Sequence, residues 1–177
     1  MNYYFHWTGK MNQSYVLETL ERKPVFEAIC DHIGVFTPYR YTFVNHITGN
    51  SEEHKVSHTV TTSSGNGIGD ISFSTITSSK FKIDGVDIWE IIKNNYGYSL
   101  QPKRDGLKIN YDILKDGAPI AYLEAAGTNI LKDGANSKLG DKLPGRGLFK
   151  VSCEEADVEG VFNVCFCLAR VESFSDN

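Results

Sequence analysis

Several residue groups in this 177-residue chain have the types and spacing to do chemistry. Cys30 and His32 are two positions apart at the end of an apolar run, where a thiolate–imidazole nucleophile is conceivable. No third group that would orient the imidazole is identifiable. His46, His54 and His58 lie on or beside one expected hairpin. His54 and His58 share a strand face but sit roughly 13 Å apart along it, too far for one metal ion unless the backbone bends. Exposed polar strand positions are the plainer reading. Gly65-Asn66-Gly67-Ile68-Gly69-Asp70 has the glycine density of a phosphate loop. It lacks the lysine of such loops and runs into a strand rather than a helix, so it reads as a flexible hairpin loop. Glu154, Glu155 and Asp157 could serve as acid–base carboxylates, yet they stand just before an apolar run, where a helix dipole favours negative charge. Cys165 and Cys167 would be a redox or metal pair only if exposed, and they lie inside an apolar segment. No cofactor or metal set emerges.

Two groups of cations are candidates for anion binding. One is Lys103 and Arg104 with Lys108; the other is Lys142, Arg146 and Lys150, with Lys138 nearby. Brought together in space, they would dock an anionic lipid headgroup or a phosphate. Asp105 and Asp141 interrupt them, and a solvated mixed-charge surface is the alternative.

Composition narrows the class. The length fits a single domain over residues 1–177. Hydrophobic residues make up 41% and charged residues 23%, ordinary for a globular protein. A net charge of −4 argues against a broad nucleic-acid surface. No apolar run reaches the roughly 18 residues of a membrane span, and Met1 to Trp7 shows no secretory pattern. Four cysteines, Cys30, Cys153, Cys165 and Cys167, read as reduced thiols, which places the protein in the cytoplasm.

The elements that must position these groups are mostly strands. Residues 2–7, 14–20 and 24–30 form three, with Pro24 at a strand start. Tyr39, Tyr41 and Phe43 share one face of the next, and 55–61 returns as its partner. Short strands follow at 71–76 and at Phe81 to Ile83. Ile88, Trp89, Ile91 and Ile92 then fall at helical spacing, with Asp87 in the first turn and Gly97 at the stop, giving one short amphipathic helix. Asp116-Gly117 joins strands at 107–114 and 120–125, one of the better hairpin signals available. A last strand covers 148–153. This amounts to some ten short strands, a mainly β chain of the barrel or sandwich kind.

The final segment, Val161-Phe162-Asn163-Val164-Cys165-Phe166-Cys167-Leu168-Ala169, has Asn163 as its one polar residue. Such a segment is a core plug enclosed by the rest of the fold. The preceding acids point to a helix over 158–172, while its β-branched and aromatic content leaves a strand open. Val161, Phe162, Val164, Cys165, Phe166 and Leu168 are its filling residues, together with Cys167 and Val171.

This order of elements resembles the tubby C-terminal-like superfamily, which includes LURP-one-related proteins and phospholipid scramblases. The carriers are the apolar, cysteine-containing segment from Val161 to Phe174 and the strand, Asp-Gly turn, strand unit from Ile113 to Leu123. The resemblance implies a closed antiparallel β-barrel of about twelve strands threaded by a hydrophobic C-terminal helix. The lysine/arginine pair with which tubby proteins bind phosphoinositides has no placeable counterpart here, and the cysteine-rich lipidated segment of scramblases is missing. The functional expectation is a non-enzymatic binding or scaffold module using its outer surface, with an anionic headgroup or a protein as candidate partner. The alternatives are a lipocalin-like ligand carrier, which needs an open interior, and an enzyme of unrecognised class, with His32 or His58 as first candidates.

Overall fold

Tyr3 and Phe5, Tyr15 and Leu17, Phe26 and Ala28, and Tyr41 are buried at alternating positions of successive strands, and that shared apolar face directs the fold. The computed structural model describes residues 1–8, 14–32, 38–65, 73–131 and 147–172. Its strands are β1 (Asn2–Thr8), β2 (Ser14–Thr19), β3 (Pro24–His32), β4 (Tyr39–Asn45), β5 (Asn50–Gly65), β6 (Phe73–Ile83), β7 (Val86–Asp87), β8 (Tyr98–Asp105), β9 (Lys108–Lys115), β10 (Ala118–Ala125) and β11 (Phe149–Cys153). All are antiparallel in one sheet of order β7-β6-β5-β4-β3-β2-β1-β11-β10-β9-β8. Two meanders, β1 to β7 and β8 to β11, are thus stitched together where β1 pairs with β11, Asn2 opposite Ser152.

Turn chemistry sets the hairpins. Asp116-Gly117 has φ of 52° and 80°, and Asp84-Gly85 has 50° and 85°. Both are left-handed at two successive residues, the type I′ geometry whose twist matches a hairpin. Asp84-Gly85 therefore joins β6 to β7. Helix α1 (Ile88–Tyr96) starts one turn later, where the Asp87 carboxylate accepts the Trp89 N–H at 2.9 Å. Gly97 ends it with φ 68° and its N–H on the Lys93 carbonyl. Ile88 and Ile92, four apart, are its buried face.

Helix α2 (Val158–Glu172) follows a 3-10 turn over Glu155–Asp157. The strand alternative for this segment is not taken up. Val161, Phe162, Val164, Cys165, Phe166 and Leu168 are all at most 5% exposed, whereas the Val171 side chain lies outside the described residues. The Phe162 ring packs against Phe5, Phe26 and Phe43 at centroid distances of 5.9, 5.5 and 5.9 Å. Phe166 meets Tyr15, Tyr41 and Phe43 at 5.6, 5.1 and 5.0 Å. Arg170, 1% exposed, lies 4.9 Å from the Tyr39 ring and 5.9 Å from those of Tyr41 and Phe81. Rings from β1, β2, β3, β4 and β6 thus converge on one helix, and the sheet curls around it.

The curl does not close into the expected twelve-stranded barrel. Among the described residues there are eleven strands, and β7 and β8 form the two ends without pairing to each other. The reason is local. β7 has only two residues, and the second, Asp87, already caps α1, so the chain crosses the gap as helix and resumes as β8. β8 itself was not foreseen, because Pro102, Lys103 and Arg104 break any apolar alternation. On an edge strand those residues are suitable, since they discourage further pairing. Among the described residues, no helix is long and apolar enough to cross a membrane.

A second, smaller layer covers the outer face of β1 and β2. Ala126, Ile130 and Leu148 are buried there against Tyr4, Trp7 and Leu131. Beneath them Glu18, fully buried, accepts from Arg22 Nη1 at 2.6 Å and contacts His6 Nε2 at 2.8 Å. Arg22 also donates to the Ile130 carbonyl, pinning the cover to the sheet. Burial alone would raise the Glu18 pKa; hydrogen bonds from Arg22 and His6 outweigh it and hold the carboxyl below its ordinary 4.5.

Two outcomes are expected. A depressed folded-state pKa adds stability above the unfolded value, and that stability is lost as pH falls through the folded one. Glu18→Gln should therefore cost about 3–5 kcal/mol at neutral pH in urea unfolding, the cost of breaking a buried charged pair. Its deficit relative to wild type should shrink below pH 4.5. Gly160→Ala should also destabilise, although alanine is the better helix former by about 1 kcal/mol. A Cβ there would lie 2.7 Å from the Tyr98 ring and 2.9 Å from that of Tyr96. Tyr98 is held by its hydroxyl on Asp157, so overpacking of about 1–3 kcal/mol should win, measured as a lower urea midpoint.

Candidate functional site

One stripe of α2 is not dry. Glu159 is exposed and Asn163 half-buried, one turn apart on the same side of the helix. Here the helix emerges from under the sheet, and a cleft of about 570 Å³ opens above it. That volume falls within the range of small-molecule sites, about 300–1,000 Å³.

Four elements build the cleft. Helix α1 contributes Glu90, Ile91, Asn94 and Asn95, the stripe beside its buried Ile88 and Ile92. The β4–β5 turn is shaped by Asn45 Oδ1, which accepts the N–H groups of Ile47 at 2.9 Å and Thr48 at 3.1 Å. This Asx turn directs Thr48 and Asn50 into the lining. The floor is apolar: Phe26, Phe43, Ile83 and Phe162. The third wall is the β6–β7 turn with Asp84, and the fourth is the start of α2.

The rim is acidic. Glu52, Asp84, Glu90 and Glu159 line the cleft, one each from β5, the β6–β7 turn, α1 and α2, and no lysine or arginine is among the lining residues. Carboxylates of one sign around a concave, low-dielectric floor focus a negative potential into it. His54 stands between two of them. Its Nδ1 donates to Asp84 Oδ2 at 2.8 Å, and Nε2 is 3.6 Å from Glu52 Oε2. The imidazole packs edge-on to Phe43 at 4.8 Å. The other Asp84 oxygen accepts the Lys55 N–H at 2.8 Å. Burial would raise the Asp84 pKa, but the His54 hydrogen bond and the Lys55 N–H hold it below its ordinary 3.8. On the opposite wall Asn163 Nδ2 donates to the Tyr96 hydroxyl at 2.9 Å and to the Glu159 carbonyl at 3.1 Å. Burial, then the negative charge of Glu159, raises the Tyr96 pKa.

A carboxylate-oriented imidazole is half of a proton-transfer relay. The other half, a nucleophile donating to Nε2, is not what His54 faces. Glu52, an acceptor, occupies that side, so the pair presents polarity rather than an activated hydroxyl.

The residues singled out in the sequence lie elsewhere. Lys103, Arg104 and Lys108 are on the β8–β9 hairpin, where Lys103 Nζ pairs with Asp112 at 2.5 Å. Lys150 is on β11, two strands from β9, opposite Glu124 in the ladder. Lys138, Lys142 and Arg146 lie outside the described residues, as do residues 66–70 of the glycine-rich segment and the side chains of His32 and His58. β5 and β6 do pair as a hairpin up to Gly65 opposite Phe73. His46 is bonded to Glu27 on the surface at 2.7 Å. Cys30 is half-buried. Cys165 and Cys167 are buried, and burial pushes both thiols well up. Cys153 is pushed up to about 11 for the same reason. Glu154 and Glu155 are exposed, and Asp157 accepts from Tyr98. The His54–Asp84 pair was not foreseen, because 30 residues separate its members. Glu159 and Asn163 carried a readable signal, polar residues one turn apart in an otherwise apolar helix.

Asp84 contributes stability above its unfolded pKa and loses it as pH falls through its lower folded value. The stability gap between wild type and Asp84→Asn, read from urea midpoints, should therefore be full near about pH 5 and narrow below about pH 4. A gap that does not change with pH would show that the His54–Asp84 bond contributes nothing to stability. Comparison of the chain with protein-family models, with curated proteins and with solved structures finds no match in any of the three.

Proposed function

We propose that this protein is a binding module, without chemistry of its own, that holds a small polar ligand in the cleft beside α1. The observation that carries this reading is the cleft itself: 570 Å³ with an apolar floor and a rim of convergent carboxylates, amides and one imidazole. The interior supports it from the other side. α2 fills the space that a lipocalin-like carrier would keep open, so a ligand is more readily taken at the surface. Enclosure of a C-terminal helix by antiparallel sheet is the feature that favours kinship with tubby-like proteins, and the unpaired β7 and β8 edges are a departure from them. Four free thiols, three of them buried, fit a reducing compartment such as the cytoplasm.

A second reading keeps the anionic headgroup. Leu107 is 79% exposed at the tip of the β8–β9 hairpin, between Arg104 and Lys108. An apolar tip flanked by cations suits a charged lipid surface. One titration separates the two. Amide-resolved NMR of the full chain with a small-fragment library should move α1, the β4–β5 turn and the start of α2, and Asn94→Trp should abolish those shifts. Fragments that leave these residues unmoved, together with salt-sensitive binding to anionic vesicles that is lost in Leu107→Ser, would favour the hairpin instead.

A further inference from the structure

Resting on the reading of the cleft as the binding site, we infer that its ligand is an aliphatic organic cation, with one or two ammonium groups on an apolar stem. Two independent properties of the cleft lead there. The first is charge. Glu52, Asp84, Glu90 and Glu159 come from four different elements, with no lysine or arginine among the lining residues. Asp84 is engaged by His54 and by the Lys55 N–H, and Glu52 makes a long 3.6 Å contact with His54 Nε2, so the exposed carboxylates of Glu52, Glu90 and Glu159 are the ones a cation would meet first. An anion entering here would meet carboxylates from β5, the β6–β7 turn, α1 and α2.

The second property is the spacing of that charge over an apolar floor. Among the described residues no three His, Cys, Asp or Glu side chains gather closely enough to hold a metal ion. The carboxylates are spread around the rim, and the half-buried Phe43 and Ile91 give the cleft accessible aromatic and hydrocarbon surface. A bare metal ion would find too few ligands at any one point and nothing to gain from that floor. An alkylammonium fits both halves. Its ammonium donates to rim carboxylates and to the amide oxygen of Asn94 or Asn95, while its methylenes cover the floor. Proximity of the cation to Tyr96 and Phe43 adds to the attraction. The same chemistry could come from a free diamine or from a lysine side chain of a peptide, and the test below separates them.

The test is an NMR titration of the full chain with 1,5-diaminopentane, with 1,5-pentanediol as the neutral analogue of equal length, and with Nα-acetyl-lysine methylamide. The diamine should shift the Asn94, Asn95 and Asn163 side-chain amides, bind at least tenfold more tightly than the diol, and weaken as salt rises. Glu52→Gln with Glu159→Gln should weaken it at least tenfold. Both side chains are exposed, and an unchanged melting temperature would confirm that the fold is intact. Tighter binding of the lysine derivative than of the diamine assigns the ammonium to a peptide side chain; the reverse assigns it to a free amine. Equal shifts of the same amides by diamine and diol would overturn the cation class while leaving the cleft as the site. Shifts confined to residues outside the cleft, or none with any of the three compounds, would overturn both.

Discussion

The structure depends on keeping the α2 backbone and side chains dry. An α-helix satisfies its own hydrogen bonds, so it can be surrounded by hydrocarbon without leaving polar groups stranded. A strand of the same composition could not be enclosed in that way without partners on both edges. That is why Val161 to Ala169, despite β-branched and aromatic residues, is helical at the centre of a β-rich protein. The sheet in turn must offer side chains large enough to reach the helix. Phe5, Tyr15, Phe26, Tyr41 and Phe43 do so, and their rings meet Phe162 and Phe166 edge-on or stacked.

The unpaired edges follow from how the chain returns. β7 is too short to present a ladder, and α1 carries the chain past the gap. Gly160 lets this arrangement close tightly, since Tyr96 and Tyr98 occupy the space a side chain would need. The cleft is a by-product of the same geometry. Where α1 bridges the ends of the sheet, the start of α2 is left partly uncovered, and its two polar residues, Glu159 and Asn163, face the opening.

Much of this was legible in the residues. Asp116-Gly117 announced a hairpin, the 39–43 alternation announced the face that meets the helix, and Asp87 with Gly97 framed α1. What the sequence concealed has physical causes. β8 carries Pro102 and a basic pair because it is an edge, and edge strands are shaped by what they must avoid rather than by what they bury. The closure of the sheet depends on whether two ends 11 residues apart pair or are bridged by helix, which no local pattern encodes. The cleft pairs His54 with Asp84 across 30 residues, so its polarity is invisible to any reading of spacing. The cationic candidates were read from their clustering along the chain, and of these Lys103 pairs with Asp112 across the β8–β9 hairpin.

The chain order of these elements bears on how the protein is made. β1 sits mid-sheet, hydrogen-bonded on one side to β2 and on the other to β11, whose residues are synthesised some 150 positions later. α2 comes after every strand. On the ribosome, seven strands of the first meander emerge with a ring-studded face and nothing yet to cover it. Contacts so distant in sequence form slowly, and such intermediates are prone to associate with one another. Translation of this protein therefore carries a long interval of exposure that ends only with the last helical turn, an interval in which a general chaperone would have a natural substrate.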